Sequence, residues 1–293
     1  MLTLNKQVWI RQLMEKFYPD TSFLKYAKDF STLTENDKIN LAEAGVDPEV
    51  YINNTTYPIA VEFREDTPLE IPLDKFETKN TAVRRPDAIE YAYDQLESVL
   101  MGHRNVLRTT TAKKAAHAFA PSSDAAHTPV IVTTGETVGT RKRITIKDIL
   151  SLKTRFDLLD YPLDKRYLVL DPNHVEDLML EDLKVFKDII DLVNGQPSRF
   201  AGFNMLQSTQ TPRYNKTTLA KVAFNAAYDA ANHTFSSFCF YGDEVMKADG
   251  VVYMYATIDD PKERATIVGF DKRFIAMPIR SKGVGAIVST VVS

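Results

Sequence analysis

Between Pro86 and Phe119 the sequence carries an apolar stripe far longer than an ordinary globular helix needs. Ile89, Tyr93, Leu96, Leu100, His103 and Leu107 recur at three- and four-residue steps, the repeat of a single helical face. Pro86 stands where a first helical residue would, and Asp87 follows in the first turn. Charges are sorted along the stripe. Asp87, Glu90, Asp94 and Glu97 come early, and Arg104, Arg108, Lys113 and Lys114 come late, which complements the helix dipole. Carried to Phe119, such a helix is about 50 Å long at ~1.5 Å per residue, whereas the average helix has roughly 11–12 residues. Gly102 is its expected weak point, because glycine inside a helix costs about 1 kcal/mol relative to alanine.

Ahead of this rod the pattern changes twice. Ile10, Met14 and Phe17 mark a short helix that Pro19 stops. Thr34 and Asp37 have the spacing of a capping box, and the helix they would open ends at Gly45. These pieces are small for a domain and read as an arm that leans on something else. From Pro58 the period becomes two. Ile59, Val61 and Phe63 alternate with polar residues, as do Leu69, Ile71 and Leu73 across a turn at Arg64 to Pro68, the signature of a β-hairpin. Pro68 and Pro72 lack an N–H and keep their strand at an edge.

Behind the rod, helices and strands mix without a βαβ rhythm. Pro129 to Thr134 reads as a strand, followed by a basic loop from Gly135 to Arg143. Thr145 opens a helix with Ile149, Leu152, Phe156 and Leu159 on one face, ended by Pro162. Tyr167 to Leu170 is an apolar run of buried-strand length, and Asp171-Pro172 begins a helix marked by Val175, Leu178 and Met179. Leu183, Phe186, Ile190 and Val193 predict a further helix with Gly195 as its cap. Beyond Arg199 the text is strand-like, ending in a short buried strand within Val284 to Val292. The fold class is α+β.

Chemistry is hard to find. With 36 basic and 39 acidic side chains the net charge is −3, so nothing marks a protein devoted to nucleic acid. Gly135 to Arg141 lacks the spacing and the Lys-Ser/Thr ending of a phosphate loop. Gly283-Val-Gly285 lacks the third glycine of a dinucleotide fingerprint and reads as a backbone kink. His103, His117, His127, His174 and His233 form no i, i+4 pair, and Cys239 is the sole cysteine, so zinc is poorly supported. His103, on the apolar stripe, is expected to be a hydrogen-bonded core histidine. The reading assigns no catalytic, cofactor or metal residue. There is no secretory leader pattern and no apolar run of ~18 residues, which predicts a soluble chain made in the cytoplasm.

The order of elements resembles the major capsid proteins of tailed bacteriophages over essentially the whole chain. Arg166-Tyr-Leu-Val-Leu-Asp-Pro172 with its following helix is similar to a strand-and-helix passage of that family, as are Arg199-Phe-Ala-Gly-Phe-Asn-Met205 and Asp271-Lys-Arg-Phe-Ile-Ala-Met-Pro278. The resemblance implies an N-terminal arm (1–56), an extended β-hairpin loop (57–86), a peripheral domain with the spine helix (87–170), an axial domain (171–250) and strands returning to the peripheral domain (251–293). It implies a non-enzymatic subunit that builds pentamers and hexamers of an icosahedral shell around double-stranded DNA. Scaffolding, portal and decoration proteins would be its partners, the host cytoplasm its place of assembly and the virion its destination. On this reading Trp9, Met14 and Phe17 of the arm pack on a neighbouring subunit. So does the hairpin through Phe63, Glu65, Asp66, Leu69 and Ile71, with Arg141, Lys142 and Arg143 as basic partners for its carboxylates. Arg104, Arg108, Lys113 and Lys114 either face packaged DNA through non-specific phosphate contacts or form a solvated helix end. An encapsulin-type nanocompartment shares this order of elements and is the alternative. An unrecognised cytoplasmic enzyme is the third reading.

Overall fold

The structure, a computed structural model, describes residues 22–35, 37–43, 67–84, 95–181 and 199–290, together with positions 7, 8, 10, 11, 13, 14, 17, 55, 190, 191, 196 and 197. Its main elements in chain order begin with β1 (Lys38–Glu43), β2 (Thr67–Pro72), β3 (Asp74–Glu77) and β4 (Thr81–Arg84). The long helix α1 (Gln95–Phe119) follows, then β5 (Val130–Val132), α2 (Ile146–Asp157), β6 (Arg166–Leu170) and α3 (Pro172–Glu181). The remainder is sheet: β7 (Phe203–Gln207), β8 (His233–Tyr241), β9 (Val245–Asp260), β10 (Ala265–Pro278) and β11 (Val284–Val288).

A seven-stranded sheet has the order Arg199–Phe200, β7, β6, β8, β11, β5, with Arg213–Asn215 also paired to β8. β6 runs parallel to β7 and antiparallel to β8, while β11 is antiparallel to β8 and parallel to β5. Side chains alternate across such a sheet, and here both faces are covered. Val169, Phe238, Phe240, Ala286 and Val288 meet Ala115, Ala116 and Phe119 of α1, with Phe23 and Leu24 beside them. Leu168, Leu170, Cys239 and Ile287 on the opposite face meet Ile149, Leu152 and Phe156 of α2 and Val175 and Leu178 of α3. Gly285 is required where the layers close, since a Cβ there would stand 2.9 Å from Cys239 Sγ and 3.1 Å from the Phe156 ring.

The second body is a five-stranded sheet built on the antiparallel pair β9–β10, which is flanked by Lys28–Asp29 on one edge and by β3 and β4 on the other. Its inner face contributes Met254, Val268 and Phe270, which pack on Leu100 and Leu107 of α1. A third small sheet pairs β1 with Thr34–Glu35 and β2, and its Ile39, Ile71 and Leu73 close on Met246 and Ala248 of β9.

Several expectations hold. α2 begins where Thr145 suggested, and a capping box holds its start, with the Thr145 N–H donating to Asp148 Oδ2 at 2.8 Å. Described positions 7, 8, 10, 11, 13 and 14 are helical. The expected first nine residues of the long helix, 86–94, lie outside the described residues. From Gln95 the helix runs 25 residues, about 37 Å at ~1.5 Å per residue.

Two expectations fail. Thr34–Glu35 and Lys38–Glu43 are strands and not a helix. Asp37 takes φ 61° in the turn between Thr34–Glu35 and β1, and the Ile39–Leu41 alternation is satisfied by pairing to Ile71 and Leu69 of β2. The hairpin partner of 67–72 among the described residues is therefore 38–43, and 59–63 lie outside them. Ile190 belongs to a two-residue strand, Ile190–Asp191, paired with Gln196–Pro197. It is not part of a helix, and Leu183, Phe186, Val193 and Gly195 fall outside the described residues.

Gly102 lies on the exposed side of α1, and a Cβ added there meets nothing within 4 Å. Gly102→Ala should therefore stabilise the chain by about 1 kcal/mol through helix propensity alone. Thermal unfolding should show a rise of ~2–4 °C. An unchanged or lower midpoint would show that α1 needs its flexibility at this residue.

Candidate functional site

The outer face of the β9–β10 pair is the most distinctive surface. Along β9, Val251, Tyr253 and Tyr255 are 53%, 51% and 57% exposed, whereas Met254 between the tyrosines is buried against α1. Strand alternation thus sends one row inward and an aromatic row outward. Tyr253 stands opposite Asp271 of β10, which stands opposite Glu77 of β3. Lys75 reaches both carboxylates, with its Nζ 3.3 Å from Asp271 Oδ2. Tyr255 stands opposite Gly269, over which the Asn80 side chain lies. Two tyrosines flanked by paired charges form a flat patch with an apolar centre and a polar rim, the composition of protein interfaces.

The inner face of the same sheet carries the N-terminal segment. Leu13 and Phe17 are buried with Leu100, Leu107 and Phe270. Lys272, on β10, is fully buried. Its Nζ lies 4.1 Å from the Phe17 ring centroid and 3.9 Å from Met14 Sδ, and it pairs with Asp249. Arg104 of α1 donates from Nε to the Leu13 carbonyl at 2.9 Å. Burial lowers the Lys272 pKa, and Asp249 opposes that shift. His103 is buried with its ring 5.3 Å from that of Phe270, its Nε2 has no hydrogen-bond partner, and burial lowers its pKa. It is a core histidine, held by packing and not through Nε2.

A buried polar network links the seven-stranded sheet to α3 and to the basic loop. Asp177 accepts both Nη groups of Arg141, Nη2 at 2.9 Å, and lies 3.6 Å from Arg143 Nε. Ser237 Oγ accepts the Asp171 N–H at 3.0 Å, which directs its hydroxyl hydrogen to His174 Nδ1 at 2.6 Å. His174 Nε2–H then donates to Ser289 Oγ at 2.7 Å, and Ser289 donates to the Lys142 carbonyl at 3.2 Å. The chain of bonds needs a neutral imidazole. Burial drives the His174 pKa down to about 4, against the pull of Asp171 and Asp177. A serine beside a histidine invites a catalytic reading, but His174 is wholly buried and both ring nitrogens are held by hydroxyls, with no carboxylate orienting the ring. Among the described residues no group of three or more His, Cys, Asp or Glu is placed to hold a metal ion, and none of the helices is long and apolar enough to cross a membrane.

Neither a protein-family profile nor a curated protein sequence matches the chain. Solved structures do match. The capsid of cyanophage P-SCSP1u aligns with a TM-score of 0.61 at 17% identity, over 90% of this chain and 86% of that one. A structure from Mycobacterium phage Che8 aligns with a TM-score of 0.65 at 14% identity, over 92% and 91%. The chain has the tailed-phage capsid fold. The virus-like particle from Pyrococcus furiosus is also similar, with a TM-score of 0.57 at 10% identity over 97% of this chain and 99% of that one.

Within this capsid fold the residues singled out from sequence scatter. Trp9, Phe63, Glu65 and Asp66 lie outside the described residues, and of Leu69 only the strand is described. Phe17 is 1% exposed and Ile71 7% exposed within their own subunit, so both pack in that subunit's own core. The reason is that α1 and β9 already supply the apolar cover that the short arm and the ribbon need. Met14 is partly buried beside Lys272. Arg141 pairs with Asp177 of its own chain, and Arg143 Nε lies 3.6 Å from the same carboxylate. Lys142 is partly buried and contributes its carbonyl to the network. Of the basic residues on α1, Arg104 holds Leu13 and Lys114 pairs with Asp74 at 3.2 Å, while Lys113 stays exposed and Arg108 is partly buried. Sequence reasoning missed the tyrosine row, although Val251, Tyr253 and Tyr255 at period two around Met254 carry that signal.

Lys272→Ala should cost about 3 kcal/mol in chemical unfolding, because it strips the Asp249 carboxylate of this buried partner. The Lys272→Ala/Asp249→Ala double variant should lose less than the sum of the singles, and strict additivity would show that the pair does not couple. His174 gives a pH test. Its folded pKa is depressed below the ordinary 6.5 to about 4, so its contribution is complete above pH ~6.5 and is lost as pH falls toward 4, about 3 kcal/mol at ~1.4 per unit. Urea unfolding should show His174→Gln to be less stable at pH 7 and flatter between pH 7 and 5 than the parent. Parallel pH profiles would contradict the assignment.

Proposed function

We propose that this chain is a major capsid subunit that assembles into the icosahedral shell of a tailed phage and encloses double-stranded DNA. The observation that carries the reading is the match of the whole fold to phage capsid structures over about nine-tenths of both chains. In this reading α1 is the spine helix. The five-stranded sheet with α1 is the peripheral domain, and the seven-stranded sheet with α2 and α3 is the axial domain, which contributes to pentamers and hexamers. The extended loop is the ribbon of β1 and β2, so it begins near Lys38 and not at residue 57, and the arm is correspondingly shorter. Glu65 and Asp66 remain candidates for contact with a neighbour. Such a subunit needs complementary surfaces and no perturbed catalytic group. Scaffolding, portal and decoration proteins are its expected partners, the host bacterial cytoplasm its place of assembly, and the virion its destination. The role is structural and not enzymatic.

A second reading, an encapsulin-type shell holding protein cargo, is favoured by the likeness to the Pyrococcus furiosus virus-like particle over nearly all of both chains. Nuclease-protected DNA inside purified particles supports the phage reading, and protein cargo without DNA supports the other.

The exposed row on β9 gives the assembly test. The double variant Tyr253→Lys/Tyr255→Lys places charge at the centre of the patch while replacing two side chains that are each more than half exposed. Its unfolding free energy should stay within about 0.5 kcal/mol of the parent, yet sedimentation velocity should show small species where the parent forms megadalton particles. Shells from the variant that sediment like the parent's would remove this face from assembly. A parent that never assembles would remove the shell reading itself.

A further inference from the structure

A second feature lies apart from the sheet faces. The C-terminal half of α1 and the loops around residues 209–213 and 222–228 enclose a cleft of about 540 Å³, a size typical of small-molecule sites. Its charged lining is all of one sign or titratable toward it: Lys113, Arg213, His117 and His233 line the cleft, and among the described residues no Asp or Glu does. The Arg213 guanidinium carbon lies over Phe235, 3.9 Å from the ring centroid, and 5.5 Å from the ring centroid of Tyr228. Its Nη1 is buried and has no hydrogen-bond partner. A buried donor left unbonded is costly, and the side chain that carries it lines the cleft. Lys113 also lines the cleft, its Nζ 5.9 Å from the ring of Phe224 and in a long contact of 3.4 Å with Asn225 Oδ1. His117 donates Nε2–H to the Val222 carbonyl at 2.8 Å, which fixes that wall to α1, and burial lowers its pKa. Phe224 is partly buried and Tyr228 is 59% exposed, so two aromatic rings face the opening beside the cations.

We propose that this cleft binds a nucleotide unit, with its phosphate on Arg213 and Lys113 and its base against Tyr228 or Phe224. Cations that hold a phosphate beside rings that stack a base are the shared chemistry of sequence-tolerant nucleic-acid grooves. An acidic peptide would use the cations but not the rings. The chemistry is the same whether the nucleotide is free or part of an unpaired stretch of a strand. The site does not depend on the shell reading, since a chain that binds nucleotide without assembling upholds the cleft and not the shell.

The test is fluorescence anisotropy of a labelled ~12-nucleotide oligothymidylate, the site size of an aromatic groove, titrated with the purified full chain at low salt. Binding should weaken as salt rises. Arg213→Gln should weaken it roughly tenfold or more, the range for a lost charge-assisted hydrogen bond, and Tyr228→Ala at least about fivefold through lost stacking. Lys113→Gln, at an exposed helix position, keeps the test open if Arg213→Gln fails to fold. Lys262→Gln, in the distant turn between β9 and β10, should change nothing. Thymidine monophosphate that displaces the probe identifies a free-nucleotide site, and displacement by unlabelled strand alone identifies a nucleic-acid groove. Either outcome upholds the cleft. No binding by the parent, equal binding by Lys113→Gln and Tyr228→Ala, or displacement by a polyglutamate peptide as effective as by the oligonucleotide would overturn it.

Discussion

The docking of α1 along the β9–β10 pair is the contact on which the rest of the chain depends. Its first turns bury Leu100 and Leu107 against Met254, Val268 and Phe270. Its last turns bury Ala115, Ala116 and Phe119 against Phe238 and Phe240 of the other sheet. The paired strands do the same from the other side, because Phe274 and Ala276 of β10 belong to that second cluster. One helix and one long strand pair therefore thread both cores. Small residues at 115 and 116 let the helix approach closely. Thr111, wholly buried, satisfies its hydroxyl on the Leu107 carbonyl at 2.9 Å. The helix end is closed by Lys221, whose Nζ donates to the carbonyls of His117 and Ala120 at 2.7 and 2.6 Å.

That arrangement separates two tasks that the proposed role in a shell would combine. The inner faces are committed to the subunit's own stiffness, down to a fully buried lysine that holds Phe17 and Asp249 on one sheet face. The outer row of Tyr253 and Tyr255 remains uncovered in the single chain. Rigid bodies with adhesive faces assemble at a smaller entropic cost than flexible ones.

What was legible in the sequence follows the range of the forces involved. α1, α2, β6 and α3 were readable because an apolar stripe, a cap or a proline fixes each within a few residues. β1 was not. Thr34 and Asp37 have capping spacing, but the deciding interaction is the pairing of Ile39 with Ile71, thirty-two residues away, and a local reading cannot weigh it. Arg141 and Arg143 looked available for a neighbour because their partner, Asp177, sits on α3 and only the fold brings it near. Phe17 was rightly read as needing cover, and its own chain provides it. The cleft at Arg213 joins α1 to loops about a hundred residues downstream, so its chemistry exists only in the folded chain. The likeness to the tailed-phage capsid fold, by contrast, survived the local errors, because it rests on the long helix and on the strand-rich C-terminal half.

The most direct measurement of the central claim is electron cryomicroscopy of the purified, assembled chain. The account predicts closed shells of pentamers and hexamers in which α1 lies along the β9–β10 pair of its own subunit and the Tyr253–Tyr255 row is covered by another copy. Dispersed monomers, or small closed oligomers that leave that row in solvent, would contradict it.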